Sequence, residues 1–220
     1  MKWVKCPPKF IANRYGSFKQ KKMTTRINVK ATEKTILNVI GTKIRQVLLD
    51  NTSKYIGFRY TNEVKFPECR PVDENYEILL PISSKGDEIK SVYELAHECI
   101  HLITPVEKNN VNYFEEGLAT KFQLDFIKKY KHIRVQNGEI YYDVAMKKLR
   151  TEDEKYSIAY DDIEKIERLS TKTIYEICKE LFQKDLIITF AQITPEMLEQ
   201  VTGIKDNDEL LIRVCEKFYT

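Results

Sequence analysis

Hydrophobic positions along this chain alternate in some stretches and recur every three to four residues in others; the second pattern takes over after residue 87. Residues 26–31 alternate weakly and predict a short strand. Thr32 then offers a helix cap. Ile36, Val39, Ile40, Ile44, Val47 and Leu48 follow at helical spacing, which predicts an amphipathic helix over 33–49. The stretch 55–66 is rich in aromatic and β-branched residues and predicts one or two strands, interrupted by Pro67 and Pro71. Tyr76, Ile78, Leu80 and Ile82 alternate and predict a further strand. Pro81 cannot donate to a ladder, so that strand is expected at a sheet edge.

Residues 83–87 read as a turn, and from Glu88 the spacing stays helical until Thr104-Pro105. Asp87 can cap this helix, or Ser91 with Glu94 can form a capping box one turn later. A second helix is expected over 112–130 and a loop over 131–139. The remainder reads as mostly helical. Ile174, Ile177, Cys178, Leu181 and Phe182 form one stripe, and Leu210, Leu211, Val214, Cys215 and Phe218 form another. Thr194-Pro195-Glu196 is a helix start with proline at the first position. The expected fold class is α+β, with a small N-terminal sheet carrying a packed helix, then a mainly helical half. No internal repeat is present. One compact domain is expected over 26–220, with sub-lobes 26–87 and 88–220, preceded by an arm over 1–25.

Composition narrows the class. Hydrophobic residues at 42% against 31% charged leave enough apolar material for a core in a chain of 220 residues. No apolar run approaches the roughly 20 residues that a membrane helix needs. The first 23 residues lack the apolar stretch of a secretory leader. Cys6, Cys69, Cys99, Cys178 and Cys215 are odd in number and form no CxxC pair, which argues against a disulfide framework and for a cytoplasmic protein. The net charge of +3 is unevenly spread. Lys2, Lys5, Lys9, Arg14, Lys19, Lys21, Lys22, Arg26 and Lys30 meet no acid before Thr32. Such an arm can touch a polyanion. No nucleic-acid-binding module accompanies it, so a solvated, poorly ordered arm is the expectation, without nucleic acid as a partner.

The chemistry is carried by His97-Glu98-Cys99-Ile100-His101, an H-E-x-x-H pattern. Helix residues four apart lie about 40° apart around the axis and one turn apart along it. Both imidazoles can thus reach one zinc ion at about 2.0–2.1 Å, with Glu98 beside them to take a proton from a water that the metal activates. Val92, Leu95, Ala96, Cys99, Leu102 and Ile103 share a core face, while Lys90, Glu94, His97, Glu98 and His101 share a polar one. A catalytic zinc usually takes a third protein ligand and keeps one position for water. The helix after residue 111 offers Glu115 and Glu116.

With Asn112-Tyr113-Phe114-Glu115-Glu116-Gly117-Leu118-Ala119 added, the sequence resembles the gluzincin metallopeptidases, the group that contains thermolysin and the zinc aminopeptidases. The resemblance spans about residues 76–130. It implies that Glu116 is the third ligand, within Glu116-Gly117-Leu118-Ala119. Glu115 is the alternative, but it shares a face with Leu118, Ala119, Phe122 and Phe126, which should meet the core. It implies a peptide or protein substrate, paired with a sheet edge above the active-site helix, for which 76–82 stands in the right place. Thermolysin-like enzymes carry an Asp four residues after the ligand Glu to orient a histidine; here that residue is Thr120. The extended His-and-Gly pattern of metzincins is absent. A donor for the developing oxyanion is also needed. Tyr156 and Tyr160, one turn apart where related enzymes often place a tyrosine, are preferred to Tyr141, Tyr142 and His132. His132 reads as a surface histidine. Cys6 reads as a remote candidate for a zinc-blocking thiol. The expectation is a zinc metallopeptidase with Glu98 as general base. The alternatives are a mobile-element regulatory or toxin-like metalloprotein acting on one partner, and a non-catalytic metal-binding module.

Overall fold

In the computed structural model, residues 9–12, 18–21, 27–44, 54–130, 133, 138–205 and 208–219 are described. Within the basic arm, β1 (Lys9–Ala12) and β2 (Phe18–Lys21) pair antiparallel. The rest of the expected arm, with Cys6, lies outside the described residues. Helix α1 (Val29–Lys43) starts earlier than expected and replaces the strand predicted over 26–31. The cap is Asn28, not Thr32: the Asn28 side chain accepts from the Ala31 N–H at 3.1 Å. Thr32 lies inside the first turn and bonds back to the Asn28 carbonyl at 2.9 Å. The end expected at 49 lies outside the described residues.

Strand β3 (Lys54–Thr61), β4 (Glu68–Val72) and β5 (Asn75–Pro81) form a sheet of order β3-β5-β4. β5 is therefore central, parallel to β3 and antiparallel to β4. This corrects the expectation that it is an edge. Ile78, Leu79 and Leu80 are each fully buried, a continuous run that needs cover on both faces rather than alternate residues in water. Pro81 ends the strand opposite Thr61, where the ladder is finishing and a missing donor matters little. The edge beside β5 is β4, and it holds Pro71.

Helix α2 (Glu88–His101) begins at Asp87, whose side chain accepts from the Lys90 N–H at 3.0 Å. Ser91 is not a cap: its hydroxyl receives the Tyr60 phenol and donates to the Ser84 carbonyl. Helix α3 (Tyr113–Ile127) is capped by Asn112, which accepts from the Glu115 N–H at 2.9 Å. A single 3-10 turn, Lys128–Tyr130, completes the expected stretch. α3 is buried on every side, as the central helix of the helical half must be. α4 (Tyr141–Glu152), α5 (Glu154–Ser170), α6 (Ile174–Gln183), α7 (Pro195–Thr202) and α8 (Asp208–Cys215) surround it. α7 starts at the Thr194-Pro195 signal, with Thr194 accepting from the Met197 N–H. The fold is α+β, and among the described residues no helix is long and apolar enough to cross a membrane.

One contact fixes the spacing of the site's helices. A Cβ at Gly117 would lie 2.4 Å from the Ala159 carbonyl oxygen and 2.6 Å from Ile163 Cγ1. α3 and α5 thus meet backbone to backbone at the residue after Glu116, and only glycine permits that approach. Gly117→Ala is expected to lower stability by about 1–3 kcal/mol through overpacking. Urea unfolding measures it, and a wild-type midpoint and slope would show that α5 yields without cost.

Candidate metal centre

Two antiparallel helices bring the polar residues together. α2 runs into His101, the chain turns back through 102–112, and α3 presents its first turn to the last turn of α2. His97, His101 and Glu116 each offer one ligand atom, and these atoms lie within 4.8 Å of one another. The two imidazole centroids are 5.2 Å apart. His97 Nε2 is 3.1 Å from Glu116 Oε2, and His101 Nε2 is 3.8 Å from Glu116 Oε1. One ion can therefore be reached by two imidazole nitrogens and a carboxylate oxygen, a donor set that suits zinc. The structure brings Glu116 together with both histidines.

Glu115 has a different partner. Its Oε1 is 2.8 Å from His101 Nδ1, on the far side of that ring from Glu116. A carboxylate can only accept here, so Nδ1 carries the proton and Nε2 is left to face the ion. Glu115 is fully buried, as its shared face with Leu118 predicts, and its Oε2 has no hydrogen-bond partner among the described residues. Thr120, at the position of the thermolysin-type Asp, does not support either imidazole: its hydroxyl is buried and also unpartnered.

Glu98, on the next step of α2, is buried at 7% exposure. Burial raises its pKa, while His101, His97 and the backbone N–H of Cys69 on β4 pull it down; the balance is a raised value. Burial likewise raises Glu115 above the usual carboxylate range, against the pull of His101. Glu116 ends below the ordinary value, because His101, the His97 bond and the Tyr219 bond together outweigh its burial. Burial lowers His101, but Glu116 and Glu115 overcome it and push the group to about 10.

The expected tyrosines part company. Tyr156 stands at the site, its ring 5.9 Å from that of His97 and its hydroxyl 2.9 Å from that of Tyr219. Tyr160 is not brought there. It packs with Leu124, Ile127 and Leu149, with the Arg150 guanidinium 5.4 Å above its ring. Tyr141 lies against Tyr93 and Tyr142 beneath Lys128. His132 lies outside the described residues. Tyr219, which no local pattern announced, donates its hydroxyl to Glu116 Oε1 at 2.8 Å. No protein-family model, curated protein or solved structure matches the chain.

In the metal-free protein, a proton on His101 stands between the carboxylates. Its folded pKa lies above the ordinary value of 6.5, so the stabilisation is complete below about 6.5 and is lost as pH rises through about 10. Urea unfolding of metal-stripped protein is expected to lose stability over that window, and His101→Gln to lose less. Parallel losses would remove His101 as the source.

Proposed function

We propose that this protein is a zinc-dependent peptidase of gluzincin-like organisation. The observation that carries the reading is the triad His97, His101 and Glu116, with His97 and Glu116 buried, His101 partly exposed and Glu98 beside it on the same helix as both histidines. Three buried carboxylates, Glu98, Glu115 and Glu116, face two imidazoles. A divalent cation supplies the charge that this set lacks, and zinc prefers its nitrogen and oxygen donors. Zinc held there supplies Lewis acidity, polarising a substrate carbonyl and acidifying water.

The chain's own residues do the rest. Glu98, made more basic by burial, is placed beside both histidines to accept a proton and to return it to the leaving amine. Tyr156 is the hydroxyl beside His97 that can serve the carbonyl oxygen: burial and the charge of Glu116 keep its phenol protonated, and its one proton turns from the Tyr219 oxygen to the substrate oxygen when substrate is bound. Tyr160 has no part in this reading. The substrate shelf is β4 instead of the central β5. Pro71 cannot donate to β5, so in the antiparallel ladder its position and that of Cys69, two residues back, are the ones whose backbone groups turn to the free side. Pro71 sits at such a position, where no ladder donor is required. An extended peptide can pair with the backbone groups along such an edge. The unpaired thiols Cys69, Cys99, Cys178 and Cys215 suit a reducing compartment, which accords with work in the cytoplasm.

Metal analysis and peptide cleavage test the reading together. Wild-type protein is expected to hold equimolar zinc, and His97→Ala and Glu116→Ala to lose it. Glu98→Gln is expected to keep the zinc and to lose cleavage of a peptide library by about 10²–10⁴-fold. Zinc retained in Glu116→Ala would move the third ligand elsewhere. Cleavage by Glu98→Gln at the wild-type rate would end the general-base role. Zinc without any cleavage by wild type would leave a metal-binding module.

A further inference from the structure

Glu116 does not face the site alone. Its two oxygens have separate partners: Oε2 is at His97 Nε2, and Oε1 receives the hydroxyl of Tyr219. Tyr219 lies 103 residues further along the chain, outside both motifs. Its position is set by a backbone clamp. The Tyr113 N–H donates to the Glu216 carbonyl at 3.0 Å, and the Phe218 N–H donates to the Val111 carbonyl at 2.9 Å. Lys155 Nζ donates to the Phe218 carbonyl at 3.2 Å. The buried Phe218 ring is wedged between Tyr113 at 4.9 Å and Tyr156 at 4.8 Å. The segment before Tyr219 is thus fastened to the start of α3, the helix that carries Glu116.

A phenol has one proton. Tyr219 gives its proton to Glu116, so the 2.9 Å bond to Tyr156 must run from the Tyr156 hydroxyl to the Tyr219 oxygen. The order is Tyr156 to Tyr219 to Glu116. A hydroxyl that both accepts and donates is polarised by the first bond and donates more strongly in the second.

We propose that Tyr219 is the positioning residue for the metal ligand Glu116: its hydroxyl occupies Oε1, fixes the carboxylate rotamer and leaves Oε2 as the oxygen offered to the ion. This rests on the zinc reading above. A carboxylate with both oxygens free can grip an ion through either or both. With Oε1 engaged, one-oxygen coordination is favoured, and a position on the metal stays open for water and substrate. Tyr219 has no contact with the reacting atoms in this role and acts through Glu116.

Tyr219→Phe tests it, because the ring that packs on Phe218 is kept and only the hydroxyl is removed. Zinc affinity of the full chain is measured by competition with a chromogenic chelator. The visible spectrum of the cobalt-substituted protein reads the ligand geometry, and melting of the metal-free protein reads the fold. The variant is expected to bind zinc about 10–100-fold more weakly, the usual effect of removing an outer partner of a ligand. Its cobalt spectrum is expected to change and its metal-free melting temperature to stay at the wild-type value. Tyr156→Phe, one bond further back, is expected to lose less affinity. Wild-type zinc affinity and an unchanged cobalt spectrum in Tyr219→Phe would overturn the role while leaving the zinc site intact. A loss of affinity that only tracks a fall in metal-free melting temperature would overturn it too, in favour of packing. A folded wild-type chain that takes up neither zinc nor cobalt would remove the zinc reading itself.

Discussion

Three carboxylates are buried at the junction of α2 and α3, and the local arrangement answers to that one electrostatic demand. An ion taken out of water without compensation costs several kcal/mol even after relaxation. Glu98, Glu115 and Glu116 therefore need countercharge or donors at close range, and each has a different source. Glu116 meets His97, His101 and the Tyr219 hydroxyl. Glu115 meets the outer nitrogen of His101. Glu98 faces both imidazoles and a backbone N–H from the edge of the sheet. Two imidazoles cannot balance three ionised carboxylates, and burial answers the remainder by raising the pKa of Glu98 and Glu115.

The elements around the site can be read as the means of holding this charge in place. α2 and α3 lie close enough for the ligand atoms of His97, His101 and Glu116 to fall within 4.8 Å of one another, and a capping side chain fixes the start of each helix. α3 is apolar around its whole circumference apart from its buried polar residues, so it cannot slide toward solvent. Gly117 lets α5 come in at backbone distance, which carries Tyr156 to the face of His97. The sheet contributes through β4, whose Cys69 backbone helps to lower the pKa of Glu98 against its burial. Four separate parts of the chain thus converge on a centre whose ligands come from two.

What could be read in the sequence was whatever local spacing determines. The i, i+4 pairing of His97 and His101 needs nothing beyond a helix, and Asp87 is a capping residue in the expected place. The misreadings have physical reasons. Asn28 and Thr32 are both good caps, and the weak alternation around them concealed that the earlier one wins. Pro81 points to an edge for β5, but the unbroken run Ile78-Leu79-Leu80 is the stronger signal, of a strand covered on both faces. Glu115 was set aside as a core-facing residue. Yet an acid on a core face needs a partner, and that requirement pointed to a histidine one helix away. Tyr219 is one of 13 tyrosines and meets Glu116 only through tertiary folding, so no spacing rule could single it out.

The two imidazoles are supported unequally, and the inequality shows which parts of the chain finish the centre. His101 is held by a charged bond to Glu115, a residue of the same helix as the third ligand, so its tautomer and orientation are fixed once α2 and α3 have docked. His97 gets no such bond from Thr120. Its ring is placed by Glu116 on one side and by the Tyr156 ring of α5 on another. Glu116 in turn is aimed by Tyr219, beyond α8. The helix pair that bears both motifs is therefore sufficient to orient one histidine but not the other. The His97 side depends on the late part of the chain, through the close approach at Gly117 and the clamp over 216–218. A short motif marks where a metal can be bound, and here the side chains of that motif are positioned by residues that lie 40 to more than 100 positions further on.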